Sequence, residues 1–576
     1  MAKGGEFILP DNDFSGIFTV SDFTEDHSLV WQMMAEFMDK EVLNKHACER
    51  IESKDLPFIY QLMKKAAVEL GIVGAEIPEE FGGSEMDKIS TAIIAEWIGR
   101  QGSYACTFLA HTGIGTLPIK LFGTKTQKEK YLPKLASAEW MAAYSLTEAG
   151  AGSDANSAKS TALRVEGGYR LNGSKIFVTN GGMATVFTVF SKLDGKLTAF
   201  IIEKDFEGVE VGNEDHKLGI QGSSTTPLNL NNVFVPAENL LGEEGKGFKI
   251  AMKVLNLGRF KLGAACLGGA RLCLKEALEY SKTRKQFGTH IGSFGAIQRV
   301  LVVMAAKIYG MESMVYRTAG YLDDMTRNID PNDQEALLAA IDEFVIECSL
   351  IKVRCSEFMF EIAGDNLGVH GGNGFMKEYA AERHLRDAVI NRIFEGTNPI
   401  NSLVAIGMAL KKAMKNELPL ITEGKKIFAE SMAPSMAIES DDLVEKLGGY
   451  LKNAKKSVIL AAGAAVEKHG AKLNDAMTNP YIQNLLLNLA DCLGVIFLLE
   501  SSLAALSKNR TEHNENLVRV LFTQQLFELE RLMRETLPMC GEGDTLRTML
   551  AMSRRFLKYT PDDLADLYTK IASNLK

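Results

Sequence analysis

Leu29, Val30, Met33, Met34, Phe37 and Met38 recur at three- and four-residue steps, the spacing that keeps one face of an α-helix apolar. Residues 55–63 and 91–98 share that period, so the stretch from about 25 to 137 reads as a set of helices. Pro78, Gly82 and Gly83 punctuate a loop between two of them. Near Ala142 the period changes. Down to about Leu241 the pattern is short strands and turns, at 167–171, 175–179, 197–203, 209–211 and 228–235. Asn172-Gly173 has the composition of a two-residue hairpin turn, which makes 167–171 and 175–179 the arms of a hairpin. On its second arm Phe177 and Thr179 share a face by strand alternation. Helical period returns at Gly247 and runs to about Lys415, and the Met-rich stripe of 299–326 reads as core filler. Residues 418–440 mix Pro419, Gly424 and Pro434 with polar side chains and read as a linker. Beyond it, 442–469, 480–507, 512–535 and 561–575 read as four helices of a separate domain. The expected divisions are 1–141, 142–245, 246–416, a linker at 417–440 and an extension at 441–576.

Composition narrows the class. With 46% hydrophobic and 24% charged residues the chain has an ordinary soluble globular make-up. A net charge of −9 argues against a dedicated nucleic-acid binder. Eight cysteines are scattered with no Cys-x-x-Cys pair and no Cys/His cluster of zinc-finger spacing, so no metal site is expected. Reduced thiols point to a cytoplasmic protein. The first residues carry neither the apolar core of a signal peptide nor the Arg- and Ser-rich character of a transit peptide. The best candidate for a membrane span, 485–499, is short and is interrupted by Asn488 and Asp491.

Chemistry gathers at a few motifs. In residues 392–399 Glu395 stands between Phe394 and Gly396, and Thr397, Asn398 and Pro399 suit a helix start. A carboxylate held on so short a loop is mounted as a general base would be, although most Glu residues are simply solvated. Tyr144 to Asp154 includes Gly150, Gly152 and Ser153, where small residues let backbone N–H groups approach a ligand. No βαβ unit surrounds them, so this is no dinucleotide fingerprint. Phe177 and Thr179 offer an aromatic face and a hydroxyl to a flat heteroaromatic ring. Arg284 follows a helix and has the geometry to meet a phosphate. Gly371 and Gly372 open a tight segment between helices. Each motif alone has an ordinary structural reading.

Together and in this order they resemble the acyl-CoA dehydrogenase family over residues 25–412. The helical tail, and Asn256 to Phe260 with Phe248 before them, resemble its very-long-chain branch. The resemblance implies an α+β fold: an N-terminal helical domain, a central β-barrel-like domain, a C-terminal four-helix bundle and an extra helical domain. It implies FAD as cofactor, and α,β-dehydrogenation of acyl-CoA thioesters to trans-2-enoyl-CoA in fatty acid β-oxidation. Electrons would pass to an electron-transfer flavoprotein. Glu395 would be the catalytic base. Tyr144, Leu146, Thr147, Gly152 and Ser153 would line FAD and the acyl-CoA entrance, with Phe177 and Thr179 on the flavin ring. Arg284, Gln286 and Phe287 would hold the far end of a neighbouring subunit's FAD, closed by Gly371, Gly372 and Thr397. Ser153, Ala110, Asn256, Arg259 and Gly396 would contact substrate.

Some relatives carry their base at the position of Gly258, which here has no side chain, so Glu395 stands alone. Ala110 lies where medium-chain relatives close the pocket floor with a larger polar side chain, so long acyl chains are expected. Gly368 and Pro399 depart from glutamines that contact FAD in many relatives. Lys411, Lys412, Lys415, Lys425 and Lys426, continued by Lys446, Lys452, Lys455, Lys456 and Lys468, raise two readings: a peripheral membrane face, or the solvated face of a packed helix. A tail covering the tetramer surface of smaller relatives would favour a homodimer. An oxygen-using oxidase and a non-catalytic assembly or binding member are the alternatives; a DNA-binding relative is disfavoured by the acidic charge.

Overall fold

The computed structural model describes residues 2–330, 333–431 and 440–575. The N-terminal helices are α1 (Glu25–Phe37), α2 (Lys45–Glu52), α3 (Leu56–Val68), α4 (Lys88–Ile98), α5 (Gly102–Leu109), α6 (Leu117–Phe122) and α7 (Lys125–Ala136). Side chains that accept first-turn N–H groups set their starts: Thr24, Asn44, Asp55, Asp87, Gln101 and Thr124. The apolar stripe of α1 buries Met34 and Phe37 and passes into a π-helical turn at Met38–Val42. From Ile89 to Ile98 every residue of α4 is buried, which makes it the central helix of this unit.

The middle unit holds β1 (Ala142–Ser145), β2 (Thr161–Val165), β3 (Gly168–Thr179), β4 (Val186–Leu193), β5 (Lys196–Glu203), β6 (Val209–Val211), β7 (Thr225–Pro236) and β8 (Leu240–Leu241). The sheet order is β6-β7-β3-β2-β4-β5-β8, with β1 parallel to β4. Period-2 alternation divides the sheet's residues between two cores. Val186, Phe190, Ala199 and Ile201 face a core shared with α7, while Phe187, Val189, Phe200 and Ile202 face the inside of the β unit. The Asn172-Gly173 turn is corrected. These residues lie inside the continuous strand β3, where Gly173 has φ +150° and the register with β7 shifts. The actual turn is at Glu166 and Gly167, between the paired Val165 and Gly168. A second irregularity between Lys175 and Val178 breaks the alternation expected for Phe177 and Thr179.

The second helical unit comprises α8 (Gly247–Thr283), the short β9 (Lys285–Gln286) and β10 (Thr289–His290), α9 (Gly295–Thr326), α10 (Gln334–Glu343), α11 (Val345–His370), α12 (Ala381–Ile390) and α13 (Asn398–Met414). Helices α8, α9, α11 and α13 pack as a four-helix bundle, and α4 lies against α8. Within the expected linker, Leu420–Ser431 forms helix α14, while 432–439 lie outside the described residues. The extension adds α15 (Leu443–His469), α16 (Pro480–Lys508), α17 (Glu512–Cys540), α18 (Gly543–Phe556) and α19 (Leu564–Asn574). Helix α18 was not anticipated, because its few apolar positions are interleaved with Thr, Ser and Arg.

One further expectation changes here. Helix α16 has the length and apolar character to cross a bilayer, yet 89% of its apolar window is buried by protein. The apolar side chains of the extension join one continuous core with the bundle. Glu500 of α16, fully buried, forms an ion pair with Lys455 of α15 at 2.7 Å and accepts from Arg317 of α9 at 3.4 Å. Much of the basic run is likewise paired within the protein: Lys412 with Glu343, Lys426 with Glu423, Lys452 with Asp11, Lys456 with Glu430 and Lys468 with Glu542.

Replacing Glu500 by Leu strands two buried cations, a loss expected to cost about 3–5 kcal/mol. Calorimetry should show bundle and extension unfolding together at a lowered temperature. A separate transition confined to the extension would contradict the shared core.

Candidate active site

The turn between α12 and α13 is built around two residues in the left-handed region, Glu395 at φ +59° and Gly396 at φ +82°. Glycine adopts this freely, whereas an L residue there pays roughly 1–2 kcal/mol. Backbone bonds from Ile393 and Phe394 to Ile390, and from Asn398 to Arg392, close the loop around it. The carbonyl of Glu395 accepts from Arg259 Nε and Asn401 Nδ2, both at 3.3 Å. The carbonyl of Gly396 accepts from Lys352 Nζ at 2.8 Å and Asn401 Nδ2 at 2.7 Å. Thr397 is the N-cap of α13 without a side-chain capping bond, and Pro399 stands in the first turn.

This scaffold presents the Glu395 carboxyl to a cavity. Its Oε2 is shut off from solvent and has no hydrogen-bond partner. A Cβ placed on Gly258 would come within 2.7 Å of that oxygen, so the bare backbone of α8 at this position makes room for the carboxylate. Burial pushes the Glu395 carboxyl up to about 7 from the usual 4.5, against the opposing pull of Arg259 and Lys352. The Tyr144 hydroxyl, also buried without a partner, is raised by burial and then by the charge of Glu395. Arg259 is braced by Asn256 Oδ1 at 2.9 Å.

The cavity encloses about 100 Å³ between α5, α8, α11 and α12. Gly258, Leu262, Ala265 and Gly269 line it along one face of α8, an 11-residue path of roughly 16 Å at helical rise. Ala110 lines the opposite wall, in a π-helical turn at Ala110–Gly115. Thr179 of β3 reaches the same cavity. The space is long, narrow and largely apolar.

Around Thr179 lies an open, glycine-rich face. Phe177 sits at φ +57° on the β3 irregularity and is 64% exposed. Gly152 and Ser153 are exposed, and at Gly150 and Gly152 an added Cβ would meet nothing within 4 Å. Leu146 and Thr147 lie at the base of this loop, where the Thr147 carbonyl accepts from Ile176 N at 3.0 Å. The buried Lys175 pairs with Glu148 at 2.6 Å and anchors the loop to β3. An exposed aromatic face, a hydroxyl and unobstructed backbone fit a flavin ring.

The remaining candidates do not line the Glu395 cavity. Arg284 precedes the β9–β10 hairpin, Gln286 lies on β9, and Phe287 is 94% exposed at its tip. Gly371, at φ +58°, and Gly372 follow α11, and a Cβ on either, or on Gly368, would meet no neighbour within 4 Å. Lys352, Asn401 and Lys175, with its partner Glu148, are site-forming residues to which the motifs assign no role. Their partners are 27 to 46 residues away or lie just before the helix that carries them, so only the folded chain shows them.

Three helical and sheet units converging on one carboxylate, beside a flavin-shaped face, define the class. Family profiles agree: the acyl-CoA dehydrogenase N-terminal domain matches residues 24–139, the middle domain 143–233, and two C-terminal domain profiles 245–410 and 453–555. The chain belongs to the acyl-CoA dehydrogenase family of flavin-dependent oxidoreductases. It is 40% identical, over 100% of its length and 97% of the relative's, to a probable acyl-CoA dehydrogenase of Bacillus subtilis. It is 39% identical to the very long-chain specific acyl-CoA dehydrogenase of Rattus norvegicus, over 62% of this chain and 56% of that protein. A crystal structure of an acyl-CoA dehydrogenase complexed with FAD from Bacillus anthracis superposes with a TM-score of 0.95 at 40% identity, covering 100% of this chain and 98% of that one.

Gly258→Ala should displace the Glu395 carboxylate and lower turnover by about 10²-fold while FAD stays bound. Unchanged steady-state rates would mean that the carboxylate has room elsewhere.

Proposed function

We propose that this chain oxidises acyl-CoA thioesters, with a preference for long acyl chains, to trans-2-enoyl-CoA in fatty acid β-oxidation. The observation that carries the reading is the Glu395 carboxyl, unpartnered and raised toward neutrality at the side of a narrow apolar cavity. An α-proton of a thioester is a poor acid, and it becomes removable when charge developing on the thioester oxygen is stabilised. Among the described residues no acceptor takes the backbone N–H of Glu395, which leaves it for that oxygen. The same residue thus offers a base through its side chain and an oxyanion donor through its backbone. An acyl chain filling the cavity excludes water from Glu395 and strengthens it as a base. Arg259 and Lys352 oppose the effect of burial in part, so that the neutral and ionised forms of the carboxyl are both populated near neutral pH.

The family's cofactor is FAD; Phe177, Thr179 and the Tyr144–Ser153 loop would hold it, and when bound it would supply the acceptor for the β-hydrogen. The exposed hairpin carrying Arg284, Gln286 and Phe287, with Gly371, Gly372 and Thr397, serves the FAD of a second subunit in a homodimer. Electrons pass on to an electron-transfer flavoprotein; oxygen consumption under turnover would favour the oxidase reading instead. Unpaired cysteines, seven of eight buried, accord with a cytoplasmic setting.

Anaerobic addition of palmitoyl-CoA should bleach the flavin absorbance, and a yellow protein that never bleaches would contradict the assignment. Glu395→Gln should retain FAD and ligand yet lose turnover by roughly 10³-fold or more. Because the base must be deprotonated, kcat/KM of the wild type should fall about tenfold per pH unit below about pH 7 and level off above it. Ala110→Glu should shift preference to shorter chains; an unchanged chain-length profile would place the pocket floor elsewhere.

A further inference from the structure

Lys352 and Asn401 are both fully buried, on α11 and α13, and both aim their donors at the turn that carries Glu395. Lys352 Nζ donates to the Gly396 carbonyl at 2.8 Å and to Asn398 Oδ1 at 2.7 Å. Asn401 Nδ2 lies within 2.7 Å of the Gly396 carbonyl, 3.2 Å of the Thr397 carbonyl and 3.3 Å of the Glu395 carbonyl. Asn398 is held in turn on α11: its Nδ2 donates to Glu357 at 2.7 Å and to Ser356 at 3.0 Å. Three consecutive carbonyls of a left-handed turn are therefore pinned from two helices, while Arg259 reaches the first of them from α8. A non-glycine residue holds a positive φ only where its surroundings over-determine it. Burying an ammonium is costly, and a methionine of similar length would pack there without that cost. The placement is explained by what the lysine holds.

We propose that Lys352 and Asn401 are positioning residues that clamp the Glu395–Gly396 turn, fixing where the carboxylate and the Glu395 backbone N–H stand relative to the thioester. The proposal rests on Glu395 being the base. Neither residue touches substrate or cofactor in this account; both act through the turn. Lys352 has a second effect through space. Glu395 is faced by Arg259 of α8, Lys352 of α11 and Tyr144 of β1, and Lys352 itself by Cys266 and Arg259 of α8 and by Glu357 of its own helix. Burial lowers the Lys352 ammonium to about 7, with Cys266 and Glu395 pulling it back up, so it shares its charge with the base in the neutral range. Asn401 has no charge to share, and this separates the two roles.

The test is steady-state kinetics against pH on the FAD-loaded enzyme with palmitoyl-CoA, beside flavin content and thermal stability. Lys352→Met should lower kcat by about 10²-fold with KM within about threefold, and move the acidic limb of the pH profile upward. Lys352→Gln, which can still donate to the Gly396 carbonyl, should recover most of kcat but keep the shifted limb. Asn401→Leu should lower kcat with the limb unmoved, and it carries the test if Lys352→Met does not fold. Variants that lose only thermal stability or FAD, with kcat and limb intact once loaded, would overturn the clamp. Glu395→Gln is run alongside. If it still turns over, the base assignment itself fails; if it is dead while the Lys352 and Asn401 variants are normal, only the clamp fails.

Discussion

Everything in this structure turns on keeping one half-buried carboxylate unpartnered and in place, with its Oε2 shut off from solvent. A Glu side chain in that condition is unfavourable twice over: its charge is desolvated and its backbone occupies the left-handed region. The fold meets the first cost by raising the proton affinity of Glu395 until the neutral and charged forms are close in free energy near neutrality. It meets the second with carbonyl-directed donors from three helices. Gly258 completes the arrangement by being absent: any side chain there would occupy the space of the carboxylate.

The surrounding architecture follows from that requirement. The cavity needs walls from two helical units, so α5 and the π-helical turn after it face α8 across it. The sheet contributes Thr179 at one side and leaves Phe177 exposed on an irregular strand. The extension stiffens the bundle from behind. Buried Glu500 binds cations from α9 and α15, and α16 spends its apolar surface on the bundle rather than on a bilayer. A basic run that suggested a membrane face is largely used for internal pairing.

Much of this was legible in the chain. The change from helical to alternating period marks the middle unit, because β4 and β5 divide their side chains between two cores with strict period two. Residues 392–399 announce a helix start with a carboxylate before it, and the missing side chain at Gly258 leaves room beside that carboxylate. What failed did so for physical reasons. Asn172-Gly173 satisfies a hairpin turn as readily as an irregularity within a strand, and only pairing with β7 decides. Lys352 and Asn401 were missed because nothing local distinguishes a lysine that holds a carbonyl from one that meets water.

The most direct measurement is an infrared titration of the free, FAD-loaded enzyme, following the protonated-carboxyl band that Glu395→Gln removes. The account predicts a midpoint near 7 for that band. A midpoint near the ordinary glutamate value of 4.5 would mean that Glu395 is solvated, and the poised base at the centre of this description would be wrong.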